Sequence, residues 1–143
     1  METLLYVEEE LYFACMNRSQ LITIIAAIVL VVSCFMKWMH IPETTITITG
    51  IDTTGTRYGK PAYNHFILAA IIVCFAFIPK IWAKRFNLLF GALNLAWAIR
   101  NFSIIPGCDG GICPEKLAGL YLLMLASIIL MITVLFPKEP ALD

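Results

Sequence analysis

Four long apolar stretches divide the chain, and they are separated by short polar segments rich in charged residues, proline or glycine. The apolar stretches cover residues 19–36, 64–79, 86–105 and 117–136. A helix needs about 20 predominantly apolar residues to cross a bilayer, within a range of about 17–25. The pattern therefore predicts an all-α membrane protein, a bundle of four transmembrane helices in a single membrane domain.

The polar segments complete the predicted layout. They are an N-terminal cytoplasmic extension (1–18), a first outer loop (37–63), a cytoplasmic link (80–85), a second outer loop (106–116) and a cytoplasmic tail (137–143). Within the first outer loop, residues 44–49 alternate Thr with Ile and are followed by glycines, which predicts a short β-hairpin. An isolated hairpin is marginal in water, so we expect it to lean on the second outer loop or on a partner.

The predicted orientation in the membrane rests on where basic residues are concentrated along the chain. Lys80, Lys84 and Arg85 crowd the short link between the second and third stretches. Because cytoplasmic loops carry an excess of Lys and Arg, this link is predicted to be cytoplasmic, and both termini with it. We expect a multi-pass protein of the plasma membrane or of a bacterial inner membrane.

Two features near the N-terminus leave alternatives open. Residues 8–10 are three glutamates between apolar residues, which is typical of an interfacial helix, but Met16 would also serve as a start that omits residues 1–15. Residues 31–34 resemble a bacterial lipoprotein cleavage site that would lipidate Cys34. The competing interpretation places Cys34 at the end of an ordinary packed span.

Composition supports lipid as the main solvent of the chain. Of the 143 residues, 60% are hydrophobic and 14% are charged, whereas a soluble domain carries about 25% charged residues. Ten Lys and Arg balance ten Asp and Glu. No bulk field favours nucleic acid, so the predicted partners are the lipid bilayer and another membrane or extracytoplasmic protein.

Small and polar residues recur at intervals of seven within the stretches, which predicts the seam along which the helices meet. In the third and fourth stretches the seam residues are Asn87, Gly91, Asn94, Ala98, Asn101, Gly119, Ala126 and Thr133. The asparagine amides should point inward because hydrocarbon cannot satisfy their hydrogen bonds. They would either fix the packing register or line a polar path.

Candidate chemistry at the outer face is sparse. Cys108 and Cys113 lie in the second outer loop with two glycines between them, which predicts a disulfide that staples the loop. The alternatives are a thiol-disulfide pair that exchanges electrons with a partner, or a metal site with His40 or His65. His40, His65 and Arg100 form a candidate outer-face site, although Arg100 is also a typical interface-seeking arginine.

The arrangement resembles two families of four-helix membrane proteins. The quinone-linked disulfide oxidases of bacterial inner membranes also carry cysteines in outer loops, and claudin-like proteins combine a β-rich first outer loop with a short second one, with a loop tryptophan similar to Trp38. Both resemblances concern architecture. The oxidases place a Cys-x-x-Cys pair in the first outer loop or a span, and claudin-like proteins place their pair in the first loop, whereas this chain has its pair in the second.

These patterns favour a non-catalytic role, as a small subunit or scaffold whose outer loops face a partner. A membrane redox component using Cys108 and Cys113 is the alternative, and a small transporter using the asparagine stripe is a third. No catalytic residue, cofactor or metal site is predicted.

Overall fold

The computed structural model describes residues 18–137, so the predictions for residues 1–17 and 138–143 lie outside the described part. The elements in chain order are α1 (Arg18–Phe35), β1 (Lys37–His40), β2 (Thr47–Thr49), α2 (Ala62–Ala76), α3 (Ile81–Ile104), β3 (Glu115–Lys116) and α4 (Ala118–Leu135). The described chain is therefore mostly helical, with a small sheet.

The four helices pack side by side, and we call this arrangement the helix bundle. Among the helices of residues 18–137, α1 packs against α2 and α4, and α3 packs against the same two neighbours. The buried positions of α3 are small or polar: Ala83, Asn87, Gly91, Asn94, Ala98 and Asn101. Small residues let helix backbones approach closely, which explains why this face of α3 lies inward.

Within residues 18–137, two helices have the length and hydropathy needed to cross a membrane. They are α1 and α4, each of 18 residues, with mean hydropathy 2.0 and 2.5. Helix α2 is apolar but has 15 residues. Helix α3 has 24 residues and includes Lys84, Arg85 and Arg100. These findings give weak support for a membrane location.

The helix boundaries differ from the predicted ones around the link. Helix α3 begins at Ile81, so most of the predicted link at residues 80–85 is helical. Lys and Arg are good helix formers, and their long stems allow the charged groups of such residues to reach away from the helix axis. The prediction placed Lys84 and Arg85 in the link, before the start of the third helix. The connection between α2 and α3 is instead residues 77–80, with Pro79 inside it.

A three-stranded antiparallel sheet in the order β2-β1-β3 covers one end of the bundle, which we call the sheet end. Met39 pairs with Ile48 in β2 and with Lys116 in β3. The predicted hairpin loop thus contains two paired strands, but β2 is shorter than residues 44–49, and Thr44 lies in the connecting turn. The second loop contributes the third strand, which gives the hairpin the support that an isolated pair lacks.

Trp38 joins the sheet to the helices. Its side chain is fully buried, its Nε1 donates a hydrogen bond to the Ser33 carbonyl at 2.8 Å, and its own carbonyl accepts one from Leu117 N at 2.8 Å. Glycines adjoin the ring: a Cβ added to Gly50 would lie 2.6 Å from the ring, and one added to Gly119 would lie 3.1 Å from it. Both positions therefore need the absence of a side chain.

Candidate functional site

His65 lies in the interior because of how α2 begins. Pro61 precedes the first helical residue with φ −64°, a value suited to a helix start, and Ala62 N donates a backbone hydrogen bond to Gly50 O at 2.9 Å. The first turn of α2 is thereby held to the loop before it. His65 falls on the inward face of this turn and is fully buried.

The imidazole of His65 is held between two asparagines of α3. Its Nδ1 lies 2.8 Å from Asn94 Oδ1, and its Nε2 lies 3.2 Å from Asn101 Nδ2. Asn94 Nδ2 in turn donates to Ser127 Oγ of α4 at 3.3 Å. We call these four side chains the polar chain. It connects α2, α3 and α4 through the interior.

The hydrogen-bond directions of the polar chain are mutually consistent. Asn94 uses its Nδ2 as the donor to Ser127, so its Oδ1 is the acceptor toward His65. A neutral imidazole with its proton on Nδ1 then donates to Asn94 and accepts from Asn101 Nδ2 through Nε2. The neutral form of His65 therefore satisfies both ring nitrogens without any charge in the interior.

Two buried asparagine side-chain oxygens do not take part in these hydrogen bonds. Asn101 Oδ1 and Asn87 Oδ1 have no hydrogen-bond partner among residues 18–137. Side-chain hydrogen bonds normally satisfy such atoms, and an unsatisfied buried acceptor costs free energy. Asn87 thus differs from Asn94, whose oxygen and nitrogen are both used.

The other seam residues lie at helix contacts. Gly91 faces Met131 and Val134 of α4, where an added Cβ would lie 3.5–3.6 Å from their side chains. Gly119 faces Met36 and Lys37, and an added Cβ there would lie 2.6 Å from the Lys37 carbonyl. Both glycines therefore mark places where neighbouring segments approach closely.

The remaining seam residues are small, and one is incompletely buried. Ala98 and Ala126 are buried. Thr133 is half-buried, and its hydroxyl donates to the Leu130 carbonyl of its own helix at 2.8 Å. Its carbonyl accepts a bond from Ser19 Oγ at 3.5 Å.

The three residues of the predicted outer-face site, His40, His65 and Arg100, lie in different environments. His65 is buried in the polar chain, His40 is a half-buried residue at the end of β1, and Arg100 is exposed with its guanidinium 4.7 Å from the centroid of the Trp97 ring. The prediction placed His65 near the outer start of the second span, at residues 64–79, where it could meet His40 above the bundle. The helix begins at Ala62, so His65 lies within its first turn.

Cys108 and Cys113 form a disulfide, with the two Cα atoms 4.2 Å apart. Gly110 and Gly111 both have positive φ, +59° and +88°, which glycine adopts without steric cost. Asp109 and Ile112 form an antiparallel bridge within the loop. The disulfide therefore closes a small hairpin whose six residues are all exposed.

The other two described cysteines are less able than Cys108 and Cys113 to act together as a thiol-disulfide pair. Cys34 is buried and Cys74 is exposed, and both are free. Within residues 18–137, no group of three His, Cys, Asp or Glu residues could hold a metal ion. Ser127 and Trp97 were not predicted as site residues. Ser127 directly follows the seam residue Ala126, and this position in the sequence could have indicated it.

No protein-family model, curated protein or solved structure matches the chain.

Proposed function

We propose that the chain is a four-span integral membrane protein of a plasma membrane or bacterial inner membrane, with both termini in the cytoplasm, that acts as a non-catalytic subunit or scaffold. The supporting observation is an inverted distribution of side chains. Each helix exposes a large apolar side chain by more than half: Ile28 57%, Ile67 59%, Leu89 52% and Ile132 52%. The polar side chains of His65, Asn94, Asn101 and Ser127 are fully buried. Lipid is the solvent that suits such a surface.

The lengths of α2 and α3 are compatible with this proposal. At about 1.5 Å per residue, a 24-residue helix such as α3 reaches about 36 Å, which exceeds a hydrocarbon core of about 30 Å. Its basic residues lie near its ends, where long side chains reach the interface. Helix α2 has 15 residues, and a short span is accommodated by thinning of the bilayer or by flanking residues at modest cost.

The scaffold role is supported by the surface at the sheet end. Ile46 and Ile112 are exposed by 38% and 48%, and they lie in two different loops. The sheet ties these loops together, and the disulfide limits the conformations of the second one. A rigid, partly apolar surface loses little entropy when a protein partner binds it.

Site-specific photo-crosslinking in native membranes tests this role. A photoreactive residue at Ile112 or Thr47 should yield a discrete protein adduct, and one at Leu89, on the proposed lipid-facing side of α3, should not. Equal adducts at all three positions, or none at Ile112 and Thr47, would contradict the scaffold proposal. Release of the protein from membranes by alkaline carbonate would contradict the membrane proposal itself.

A membrane redox component is the second candidate, and the exposure of Cys108 and Cys113 favours it. Exchange requires attack by a partner thiolate on one of these sulfurs, and both residues are exposed. A transporter is the third candidate. It would use the polar chain, but His65, Asn94, Asn101 and Ser127 bind one another, which supports a packing role instead.

A further inference from the structure

A crevice of about 250 Å³ runs along the surface of the helix bundle between α2 and α3. It is lined by Asn64, Ile67, Leu68, Leu93 and Trp97. Most of this lining is aliphatic or aromatic, and only the Asn64 amide and the Trp97 indole carry polar atoms. The crevice is therefore amphipathic.

The polar part of the crevice lies toward the sheet end, beside exposed cations. Trp97 Nε1 donates to the Pro61 carbonyl at 3.1 Å, which ties the ring to the start of α2. Arg100 stacks on the same ring and is exposed, and Lys60 directly precedes Pro61. A cation on an aromatic face remains able to bind an anion through its free N–H groups.

Arg100 is the better candidate of the two cations. It has no acidic partner among the described residues. Lys60 lies over the ring of Tyr63, 5.7 Å from its centroid, and Tyr63 does not line the crevice. Arg100 lies on the ring of Trp97, which does line the crevice.

Asn64 provides the polar group on the α2 side of the crevice. It is exposed on the same outward side of α2 as Ile67. Its side-chain amide can donate a hydrogen bond to the ester or phosphate oxygens of a lipid at the membrane boundary.

We propose that this crevice binds one anionic phospholipid of the leaflet at the sheet end. The phosphate binds Arg100, the polar backbone of the lipid reaches Asn64, and part of one acyl chain lies along Ile67, Leu68 and Leu93. The proposal rests on the membrane location proposed above. Charge complementarity commits it to an anionic lipid, and the aliphatic lining distinguishes the lipid from a free phosphate.

The test uses the full chain purified in a non-ionic detergent. Phosphatidylglycerol should raise the melting temperature more than phosphatidylcholine with the same acyl chains, and glycerol phosphate alone should have no effect. Arg100→Gln should raise the phosphatidylglycerol concentration for half-maximal stabilisation by roughly tenfold or more, the loss expected for a charge-assisted hydrogen bond. The matched control is Arg57→Gln, an exposed loop residue, which should leave this concentration unchanged.

Other results would overturn the proposal. Equal shifts with both lipids would mean that the crevice does not select an anion, and an equal shift with glycerol phosphate would mean that no acyl chain is bound. A dimer that Arg100→Gln abolishes would assign the crevice to a second copy. If Arg100→Gln does not fold, Asn64→Leu should still weaken the preference for phosphatidylglycerol, and an unchanged preference would contradict the proposal. Carbonate extraction, by contrast, tests only the membrane location.

Discussion

The imidazole Nδ1 of His65 lies 2.8 Å from the amide Oδ1 of Asn94, and both side chains are fully buried. The pair connects the first turn of α2 to the middle of α3. Since Asn94 also donates to Ser127 of α4, one amide holds three helices in register. A buried polar group with both of its partners in place specifies a packing arrangement, and it becomes costly when one partner is removed.

Replacement of Asn94 should therefore weaken the bundle. Asn94→Leu keeps the approximate volume but leaves the Nδ1–H of His65 and the hydroxyl of Ser127 without their partner. We expect the free energy of unfolding in detergent to fall by roughly 1–3 kcal/mol, the cost of an unpaired buried group. Thermal unfolding of the purified variant measures this loss, and membrane insertion should be unaffected.

The matched control for this prediction is Asn87→Leu. Asn87 lies on the same face of α3, two turns from Asn94, but its Oδ1 has no partner among the described residues. Its replacement should cost clearly less, or stabilise the protein. Equal losses for the two variants would mean that the hydrogen bonds of Asn94 do not hold the bundle together, and the polar-path interpretation would gain.

Gly119 should tolerate no side chain. A Cβ there would lie 2.6 Å from the Lys37 carbonyl and 2.8 Å from Met36 Cβ, so backbone would have to move. We expect Gly119→Ala to lower the free energy of unfolding by roughly 1–3 kcal/mol, as overpacking does. Gly91→Ala is the control: its Cβ would meet atoms at 3.5 Å or more, and Ala in a helix interior is favoured over Gly by up to about 1 kcal/mol. A Gly119 variant as stable as the Gly91 variant would disprove the close contact between α4 and β1.

The oxidation state of Cys108 and Cys113 in cells distinguishes a structural disulfide, or staple, from a redox centre. A staple stabilises mainly by restricting the unfolded chain, by roughly 2 kcal/mol or somewhat more for a small loop, and it stays oxidised. Alkylation of acid-trapped cells should find no reduced pair, and Cys113→Ser should trap no partner through Cys108. A reduced fraction above roughly a tenth, or a specific mixed disulfide on Cys108, would favour thiol-disulfide exchange over the scaffold role.

Local periodicity was sufficient to indicate which side of α3 is buried. The spacing of Asn87, Asn94 and Asn101 follows the seven-residue repeat of a packed helix, so one stripe faces its neighbours whatever the rest of the chain does. A strand within residues 44–49 was also indicated by local sequence, although the turn takes Thr44 out of the strand. Its pairing with the earlier strand β1 was not predicted. These features depend on residues that are near one another along the chain.

Non-local contacts could not be obtained in this way. The partner of Asn94 is His65 on another helix, and that pairing depends on how α2 packs against α3. The addition of β3 to the sheet joins residues 39–40 to residues 115–116. A strand of two residues is too short to have a sequence pattern that predicts this pairing. The contacts of Trp38 with Gly50 and Gly119 likewise join segments far apart in the sequence.

The orientation of four spans is the central claim, and a pair of topology reporters tests it most directly. A reporter active only outside the cytoplasm should be silent when fused after Asp143 and active when inserted in the exposed turn at Thr54, with a cytoplasm-active reporter giving the reverse pattern. This outcome follows if the sheet end lies outside and both termini lie inside. Activity of the outside reporter after Asp143, or its silence at Thr54, would contradict the topology and with it the proposed outer surface.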